Sequence, residues 1–414
     1  MCVLVEEDVD VVVIGAGPAG SFAALKLAQS GLDVSVYEEH EKTGIPSHCA
    51  GHLSIEGLRR LRMYPLSSKI VENTYRGAVF HSPSGRRFVV SFDAPITCSV
   101  DRALFDGYLA ETAENAGACY FLNSRVENLG IQNGAVKGVI VKRLGETIKK
   151  TSKIVIDAEG VSSRIIRETG VPRLDTGMLV NGIEAEVENV KDTDLDMVEV
   201  FFGEEYAPGF YAWLMPKKDD KAKVGLGARV GNPREFLRRL MHKHPTASRK
   251  LRGARIFQLA VHPITLGGPI CKPYSDGFLA VGDVASQVKS TTGGGVLFGM
   301  TCAAIGAQVV KDAVRENDFS SGFLSKYQRS CNETLGFDSR MMLRMRRVLD
   351  AMSDRRFDDL IALCSRLGVE RTLQDIGDVD FQGRSLLRFL RSPRVLTVLV
   401  YSLFAYLSAN PLNL

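Results

Sequence analysis

The chain has 414 residues, of which 45% are hydrophobic and 24% charged, and its formal net charge is +4. This is the composition of a folded protein long enough for two domains, or for one domain with a large insertion, and the small charge argues against nucleic-acid binding. The eight cysteines include no Cys-x-x-Cys pair and have no histidine at ligand spacing, so we expect no metal or iron–sulfur site. The acidic start of the chain lacks a signal-peptide pattern, and we expect an intracellular, reducing location.

The first predicted element is a Val/Ile-rich strand that ends in a Gly-x-Gly-x-x-Gly turn and leads into a helix. A second strand, Asp33-Val-Ser-Val-Tyr-Glu38, follows and ends in an acid. In a dinucleotide-binding unit the glycines allow a tight turn and a close pyrophosphate, and the acid binds ribose hydroxyls. The predicted cofactor-binding residues here are Gly15, Ala16, Gly17, Pro18, Ala19, Gly20 and Glu38.

The middle of the chain changes from helical to strand-like periodicity. Residues 101–117 have helical spacing, and β-like runs follow at 118–122, 135–142 and 146–156, with Asn133-Gly134 as a hairpin signal. The last run ends in a tight turn that offers Asp157 and Gly160 to a cofactor. Alternation over 178–230 predicts an antiparallel sheet inserted between two halves of the nucleotide domain, and the off-spaced glycines at 225–231 are interpreted as structural.

A return to the first domain is predicted at 277, where a buried strand ends in Gly282-Asp283. Next, a glycine run opens a helix whose free N–H groups would stabilise the negative charge of a reduced flavin. The fingerprint, the turn after Asp157 and this Gly-Asp pair indicate FAD rather than NAD, because the chain has a single Gly-x-Gly-x-x-Gly. The cofactor-binding residues predicted from the last two segments are Asp283, Gly294, Gly295 and Val296.

The C-terminal part, 320–391, is predicted to be all-helical. Its clustered arginines are interpreted as a solvated face or as a face turned to anionic lipid headgroups. The apolar segment 395–409 is shorter than the ~20 residues of a membrane span. It is predicted to be a buried core helix, a contact with the membrane surface or a wall of a lipid tunnel. Cys302 and Cys331 flank a helical region, and whether they pair is left open.

Three motifs resemble the geranylgeranyl reductase family of flavoproteins. The likeness covers roughly residues 8–340 and is closest to archaeal members that reduce digeranylgeranylglycerophospholipids. Met215 stands where the family usually has Phe, and Ser290 where a Pro is common, which leaves the substrate preference open. The motifs are Gly44-Ile-Pro-Ser-His-Cys-Ala-Gly-His-Leu-Ser54, Tyr211-Ala-Trp-Leu-Met-Pro216 and the segment from Gly282 to Gly295.

The resemblance implies an α/β (α+β) fold like that of p-hydroxybenzoate hydroxylase, with FAD on a Rossmann-like domain. The expected divisions are a discontinuous FAD-binding domain (1–175 and 265–320), an antiparallel-sheet substrate domain (176–264, with parts of 65–100) and a helical C-terminal domain (321–414). The further cofactor-binding residues it implies are Cys49, Ala50, Gly51, Arg102 and Val126. The substrate-binding residues it implies are Tyr211, Trp213, Met215, Pro216 and Gly293.

The implied activity is FAD-dependent reduction of isolated C=C bonds in geranylgeranyl chains of archaeal membrane lipid precursors. An isolated alkene needs a proton as hydride leaves flavin N5, so the site must hold a proton donor in a dry pocket. Cys49 is the candidate, with His48 and His52 as alternatives, although a cysteine in such a loop is also often a packed residue. Strand periodicity puts Tyr211, Trp213 and Met215 on one face, which either fills the core or lines an isoprenoid channel.

Other functions stay open at this point: an FAD monooxygenase, a reductase of chlorophyll or diphosphate substrates, a lipid carrier, or a relative of quinone-reducing electron-transfer flavoproteins. The expected partners are a geranylgeranyl lipid and an external electron donor (ferredoxin, a deazaflavin or NAD(P)H). We expect a cytoplasmic location, with a peripheral contact at the inner face of the cell membrane as a further hypothesis.

Overall fold

A computed structural model describes residues 4–5, 8–374 and 378–409. The strands are β1 Leu4–Val5, β2 Val9–Ile14, β3 Val34–Tyr37, β4 His52–Ser54, β5 Val71–Tyr75, β6 Gly77–His81, β7 Arg87–Ser91, β8 Thr97–Val100, β9 Cys119–Phe121, β10 Ser124–Gln132, β11 Ala135–Arg143, β12 Glu146–Asp157, β13 Leu179–Glu188, β14 Met197–Phe201, β15 Ala212–Lys217, β16 Lys221–Ala228, β17 Arg255–Thr265, β18 Tyr274–Ser275 and β19 Phe278–Ala280.

The helices alternate with the strands in the first third of the chain and dominate its last third. They are α1 Pro18–Ala28, α2 Ile55–Arg60, α3 Arg102–Asn115, α4 Pro233–Lys243, α5 Ala247–Lys250, α6 Val296–Glu316, α7 Ser321–Cys331, α8 Phe337–Asp350, α9 Asp354–Leu367, α10 Glu370–Leu373, α11 Gln382–Phe389 and α12 Pro393–Ala409. Short 3-10 turns occur at Gly160–Ser162, Ile165–Thr169, Thr176–Met178 and Gly282–Ala285, and a π-turn joins α7 to α8.

The chain divides into two compact units, each built from three separated segments. The first unit comprises the chain up to Ser47, Arg102–Gly177 and Gly267–Ser339. The second comprises His48–Asp101, Met178–Leu266 and the chain from Arg340. The sequence led us to expect three parts, with 321–414 as a separate helical domain. In the structure that segment is split between the two units at 339/340.

The first unit is a Rossmann-like layer of parallel strands with an antiparallel extension. Its sheet has the order β10-β11-β12-β2-β3-β9, and β1 and β19 also pair with β12. The strand β2 lies between β12 and β3 in parallel pairing, and its residues Val11–Ile14 are all buried, which explains the apolar run there. The predicted hairpin joins β10 to β11, and both of its turn residues, Asn133 and Gly134, have positive φ. The predicted fold class is thus confirmed.

The second unit is built on a mostly antiparallel sheet of order β17-β13-β16-β15-β14-β6-β7. One face of its central strands packs on α4 and α5 through a buried cluster that includes Leu214, Val224 and Leu226. At the other end of the sheet, Phe88 and Val90 of β7 pack against α9, α11 and α12. The ring of Phe202 stacks on Phe357 with centroids 4.9 Å apart. The helices after Arg340 therefore complete the core of this unit.

Within the described residues, two helical segments pass a test of length and apolar composition for crossing a membrane, one of them only as a bent pair. The helix α6 is one, and 61% of its apolar window is buried inside the protein. In the first unit it packs on α1, which explains its apolar sequence as that of a core helix. The pair α11 and α12 passes the same test jointly, but it bends by 115° at the break between the helices.

His244 lies at the C-terminal end of α4 with a fully buried imidazole. Its Nε2 lies 3.3 Å from the Ser82 carbonyl oxygen, and its Nδ1 accepts from the backbone N–H groups of Thr246 and Ala247, each at 3.2 Å. This pattern requires a neutral ring that carries its proton on Nε2, because a protonated Nδ1 would face two donors. Burial, with a smaller contribution from His81, lowers the pKa of His244 to about 4.

We therefore expect acid to destabilise the protein through His244. Below pH 6.5 His244 is protonated in the unfolded chain but stays neutral in the folded protein. The free energy of unfolding therefore falls as the pH drops from about 6.5 to about 4. The expected loss is about 3 kcal/mol. Urea unfolding across this range measures it, and His244→Gln should flatten the profile. His242→Gln, an exposed position on the same helix, should leave it unchanged.

Candidate functional site

The Gly-x-Gly-x-x-Gly turn of the first unit is closely packed at its first and third glycines. Gly15 has φ +91°, and a Cβ there would lie 2.6 Å from the Ala158 carbonyl oxygen. A Cβ on Gly20 would lie 2.0 Å from the Gly15 carbonyl oxygen. Only glycine fits at these two positions. Gly15 lies against the backbone just after β12, and Gly20 places α1 in contact with the turn.

Gly17 is different, because a Cβ there would meet no protein atom within 4 Å. It is the N-cap residue of α1, with no capping side chain, and Pro18 is the first helical residue. The open space therefore lies at a helix N-terminus, where uncapped N–H groups and the helix dipole favour a phosphate. Packing within the protein does not require a glycine at position 17, whereas the close approach of a pyrophosphate does.

Glu38 lies just after β3, as predicted, and is 9% exposed. Its Oε2 accepts from the Ala16 backbone N–H at 2.8 Å, and its Oε1 accepts from the His40 backbone N–H at 3.0 Å. Oε1 also lies 2.6 Å from His40 Nδ1, so the carboxylate holds the glycine turn and retains a lone pair on Oε2 for a ribose hydroxyl. Ala19 lies nearby in α1, 3.0 Å from where a Cβ on Gly282 would be.

Asp157 ends β12 and is fully buried. Its Oδ1 accepts from the Glu159 backbone N–H at 3.0 Å, whereas its buried Oδ2 has no hydrogen-bond partner among the described residues. Burial and the neighbouring Glu159 raise its pKa well above the ordinary value. A Cβ on Gly160, at φ +71°, would meet no atom within 4 Å. This turn thus has open space at Gly160, three residues after the buried carboxyl group of Asp157.

The first unit also brings together Arg102, Asp283 and the glycine run. Arg102 begins α3 and makes a bidentate ion pair with Asp106, at 2.9 and 2.8 Å. Burial raises the pKa of Asp283, and the Arg102 charge opposes that shift. A Cβ on Gly295 would lie 2.5 Å from Asp283 Oδ1. The sequence placed these residues on three distant segments, and the fold brings them into one neighbourhood.

The helix α6 begins at Val296 with Gly295 as its N-cap residue and no capping side chain. Gly293, at φ +70°, and Gly294 form the turn that precedes it. The N-terminus of α6 can therefore present backbone N–H groups to an anionic edge, as the sequence predicted. Val126, also a predicted cofactor contact, has its side chain in the hydrophobic core of the unit, so only its backbone in β10 could contact a ligand.

Cys302 in α6 and Cys331 at the end of α7 lie beside each other as free thiols. The hydrogen bond between them and burial raise the pKa of Cys302 well above its ordinary value.

Four of the five predicted substrate residues, Tyr211, Trp213, Met215 and Pro216, lie in the second unit on and beside β15, whereas Gly293 lies in the first unit. Trp213 and Met215 share the sheet face opposite the cluster under α4, and Met215 packs with Tyr75 and Val198. The ring of Tyr211 lies 5.9 Å from that of Trp213. The Pro216 carbonyl accepts from the Tyr75 hydroxyl at 3.0 Å. Strand periodicity thus predicted the shared face correctly, and Met215 is buried within it, at 1% exposure.

The loop 48–51 belongs to this same unit. The ring of His48 stacks on His262 of β17, with centroids 4.5 Å apart. The Ala50 carbonyl accepts from Lys223 Nζ at 3.3 Å, and Gly51 lies so close to Val100 that a Cβ would be 2.3 Å from its carbonyl oxygen. Cys49, a partly exposed free thiol, is held between these anchors. Contacts on both sides of Cys49 therefore attach its loop to the sheet that carries Trp213.

Sequence reasoning missed a group of charged side chains on the Trp213 face: Glu72, Glu184, Glu186, Lys217 and Lys223. Lys217 Nζ lies 2.7 Å from Glu72 and 2.8 Å from Glu186, and Lys223 Nζ lies 2.7 Å from Glu72. Glu184 Oε2 accepts from the Trp213 indole N–H at 3.3 Å. A signal was present, since Glu184, Glu186 and Glu188 alternate along one strand and so point to the same side.

Comparisons with known proteins bear on the family, the fold and the cofactor. The family described as "FAD binding domain" matches residues 8–304. The digeranylgeranylglycerophospholipid reductase of Methanocaldococcus jannaschii is 35% identical over 362 residues, which cover 87% of this chain and 90% of that protein. The one from Methanothrix thermoacetophila is 33% identical over 401 residues, covering 94% and 97%.

Solved structures show the same fold. A geranylgeranyl bacteriochlorophyll reductase-like protein from Thermoplasma acidophilum aligns with a TM-score of 0.85 at 25% identity, over 95% of this chain and 99% of that one. A flavin-dependent halogenase aligns with a TM-score of 0.68 at 21% identity, over 98% and 76%, which shows the fold alone.

The cradle in the first unit fits FAD: open space at Gly17, a carboxylate at Glu38 where a ribose is expected, and helix N-termini without capping side chains at α1 and α6. FAD is the cofactor of this chain, in agreement with the family match. On the motifs, the fold and the relatives together, the chain belongs to the digeranylgeranylglycerophospholipid reductase family of FAD-binding oxidoreductases.

Proposed function

We propose that this chain reduces isolated C=C bonds in the geranylgeranyl chains of archaeal membrane lipid precursors, the 2,3-di-O-geranylgeranylglyceryl phospholipids. The observation that carries the proposal is the sheet face of the second unit, where the partly exposed rings of Tyr211 and Trp213 and the buried Met215 pack beside the anchored loop of Cys49. A flexible isoprenoid lacks polar handles, so flat aromatic and soft thioether side chains are suitable contacts for it. Relatives named for this activity support the assignment.

Reduction of an isolated alkene requires a hydride donor, a proton donor and groups that stabilise positive charge. Bound FAD supplies the hydride when it is reduced. An isolated alkene has no carbonyl to take up the negative charge, so a proton must arrive as the hydride does, and positive charge builds on the more substituted carbon. The indole face of Trp213 is suited to stabilise that charge, because an aromatic face attracts a cation. Burial of Met215 and Tyr75 keeps this part of the surface dry, which favours proton transfer over loss to water.

The direct test is a single turnover. Protein with its FAD reduced by dithionite is mixed without oxygen with a geranylgeranylated glycerophospholipid, and the lipid is analysed by mass spectrometry. We expect a gain of two hydrogens per reduced double bond, in step with flavin reoxidation. An unchanged lipid, with flavin reoxidised only on admission of air, would contradict the proposal and favour a monooxygenase. The electron donor that we propose is external, of the ferredoxin, deazaflavin or NAD(P)H class, and can be assayed afterwards by reduction of the bound FAD.

We further propose a peripheral contact between α12 and an anionic membrane at the cytoplasmic side. One face of α12 packs inward through Val395 and Ala405, whereas the opposite face exposes apolar side chains. Arginines of α11 and its flanks are also exposed and provide positive charge for lipid headgroups. The exposed apolar residues are Leu396 (48%), Val400 (60%), Leu403 (54%) and Phe404 (70%), and the arginines are Arg384, Arg388, Arg391 and Arg394.

Replacement of Leu396, Val400 and Phe404 by serine is expected to weaken binding to anionic vesicles at least tenfold. The physical reason is that each side chain loses apolar area that the headgroup region would otherwise cover. Co-sedimentation with vesicles measures the effect. Leu144→Ser is the matched control, because Leu144 is 88% exposed in the turn between β11 and β12. Equal binding of the triple variant and the control would contradict the contact.

A further inference from the structure

Trp213 reaches across a neighbouring strand to a carboxyl group. Glu184 of β13, Gly225 of β16 and Trp213 of β15 are register partners in one row across the sheet. Because Gly225 has no side chain, the indole lies over it: a Cβ there would be 2.4 Å from Trp213 Cζ2. The indole N–H then donates to Glu184 Oε2 at 3.3 Å. The row therefore places a carboxyl group beside the aromatic surface proposed for the isoprenoid.

The charges around Glu184 do not balance. Two ammonium groups, Lys217 and Lys223, face three carboxyl groups. Glu72 is paired with both lysines, and Glu186 is paired with Lys217. The carboxyl group in excess is that of Glu184, which accepts a hydrogen bond from the neutral Trp213 indole. A buried cluster with one surplus negative charge is stabilised when one of its carboxyl groups takes up a proton. Protonation costs the least free energy at Glu184, the carboxyl group in excess.

The electrostatics agree with this count. Burial raises the pKa of Glu184 to about 7, although the Lys223 ammonium and the Trp213 N–H both act to lower it. Glu186 on the same strand and Glu72 of β5 raise it further. The strand β17 places Ala260 opposite Glu184, with His262 one pair further along that face. A carboxyl group with this pKa exchanges its proton near neutral pH, as a general acid must.

We propose that Glu184 is the general acid of the reduction and gives its proton to the double bond of an isoprenoid lying on the Trp213 face. The inference rests on the proposed function. In the step the C=C π bond breaks, one carbon receives a hydride from reduced FAD and the other receives the Glu184 proton. Two C–H bonds form, the FAD is left oxidised and Glu184 is left as a carboxylate, which regains a proton from water. Lys223 is unsuited to this role because its ammonium is held by Glu72 and two backbone carbonyls.

The test measures flavin reoxidation in anaerobic single turnovers of the reduced holoenzyme with the geranylgeranyl lipid, between pH 5.5 and 9. For the natural chain we expect the rate to fall about tenfold per pH unit above a midpoint near pH 7. Glu184→Gln keeps an acceptor for the indole but has no proton to give. We expect it to be at least 100-fold slower, without that midpoint, and to retain its FAD. Glu188→Gln is the matched control on the same strand and face, with the natural rate and profile expected.

A purely structural role for Glu184 predicts a different result: a slower Glu184→Gln that keeps the midpoint. That result would overturn the inference, as would a Glu184→Gln variant with the natural rate. If Cys49→Ser abolishes the midpoint and Glu184→Gln does not, the proton comes from Cys49 and the inference also fails. Should Glu184→Gln lose its FAD, Trp213→Phe decides the matter. It removes a hydrogen bond that lowers the Glu184 pKa, so the midpoint should rise, and an unmoved midpoint contradicts the inference.

Failure of the proposed function is recognised separately. If the natural chain does not add hydrogen to the lipid at any pH, the proposed function falls. If it adds hydrogen and the Glu184→Gln variant does so equally fast, only the inference on Glu184 falls.

Discussion

Replacement of Gly17 by alanine is expected to remove FAD from a chain that still folds. The backbone of Gly17 has φ −68°, which suits alanine, and a Cβ there meets no protein atom within 4 Å. The methyl group would instead occupy the space into which the pyrophosphate must come at the N-terminus of α1. We expect FAD affinity to fall by at least about 100-fold, or ~2.7 kcal/mol. Isothermal titration of the flavin-free protein with FAD measures it.

Gly20→Ala is the informative companion to Gly17→Ala. Its Cβ would lie 2.0 Å from the Gly15 carbonyl oxygen, a backbone atom that cannot move aside cheaply. We therefore expect Gly20→Ala to lower the thermal stability of the flavin-free protein, whereas Gly17→Ala should leave it within about 1 °C of the natural chain. Normal FAD affinity in Gly17→Ala would show that the open space at Gly17 is not the pyrophosphate site.

Replacement of Gly225 by alanine is expected to abolish lipid reduction while FAD stays bound. The new Cβ would lie 2.4 Å from Trp213 Cζ2 and 2.6 Å from the Ile183 carbonyl oxygen, so the indole must lift off β16. The contact between Trp213 and Glu184 then breaks, and the apolar face loses its shape. We expect at least a 100-fold slower single turnover, together with a stability loss of about 1–3 kcal/mol from overpacking.

Gly130→Ala provides the matched control for Gly225→Ala. It also places alanine in a strand, β10, where the Cβ would meet neighbours only at ordinary contact distances, from 3.4 Å. We expect lipid reduction at the natural rate. If Gly225→Ala also reduced lipid at the natural rate, the position of Trp213 over β16 would be irrelevant to turnover.

The features that local sequence could predict were those set by a few adjacent residues. The fingerprint turn at Gly15 and the turn at Asn133-Gly134 follow from positive-φ backbone conformations that few residues adopt. The shared face of Trp213 and Met215 follows from the two-residue period of a strand. These predictions need no knowledge of what lies across the sheet.

What the sequence could not supply was the pairing of distant segments. The neighbourhood of Arg102 and Asp283 depends on the packing of three segments that are far apart in the chain. Likewise, the sequence shows Glu184 only as one of several acids that alternate along a strand. Its position beside Trp213 depends on the register of β13, β16 and β15. The sequence predicts the C-terminal helices as a separate domain, because no local pattern shows that they pack on Phe88 and Val90 of β7.

The interleaving of the two units has a consequence for synthesis of the protein. The chain passes from one unit to the other five times, so no continuous fragment contains one whole unit without segments of the other. The strand β19, at Phe278–Ala280, pairs with β12, which itself pairs with β2 near the N-terminus. At roughly 5–20 residues per second, about 6–24 s separate the emergence of β12 from that of β19 on the ribosome. During this interval the apolar edge of β12 has no partner strand, and truncated chains ending before β19 should aggregate rather than fold.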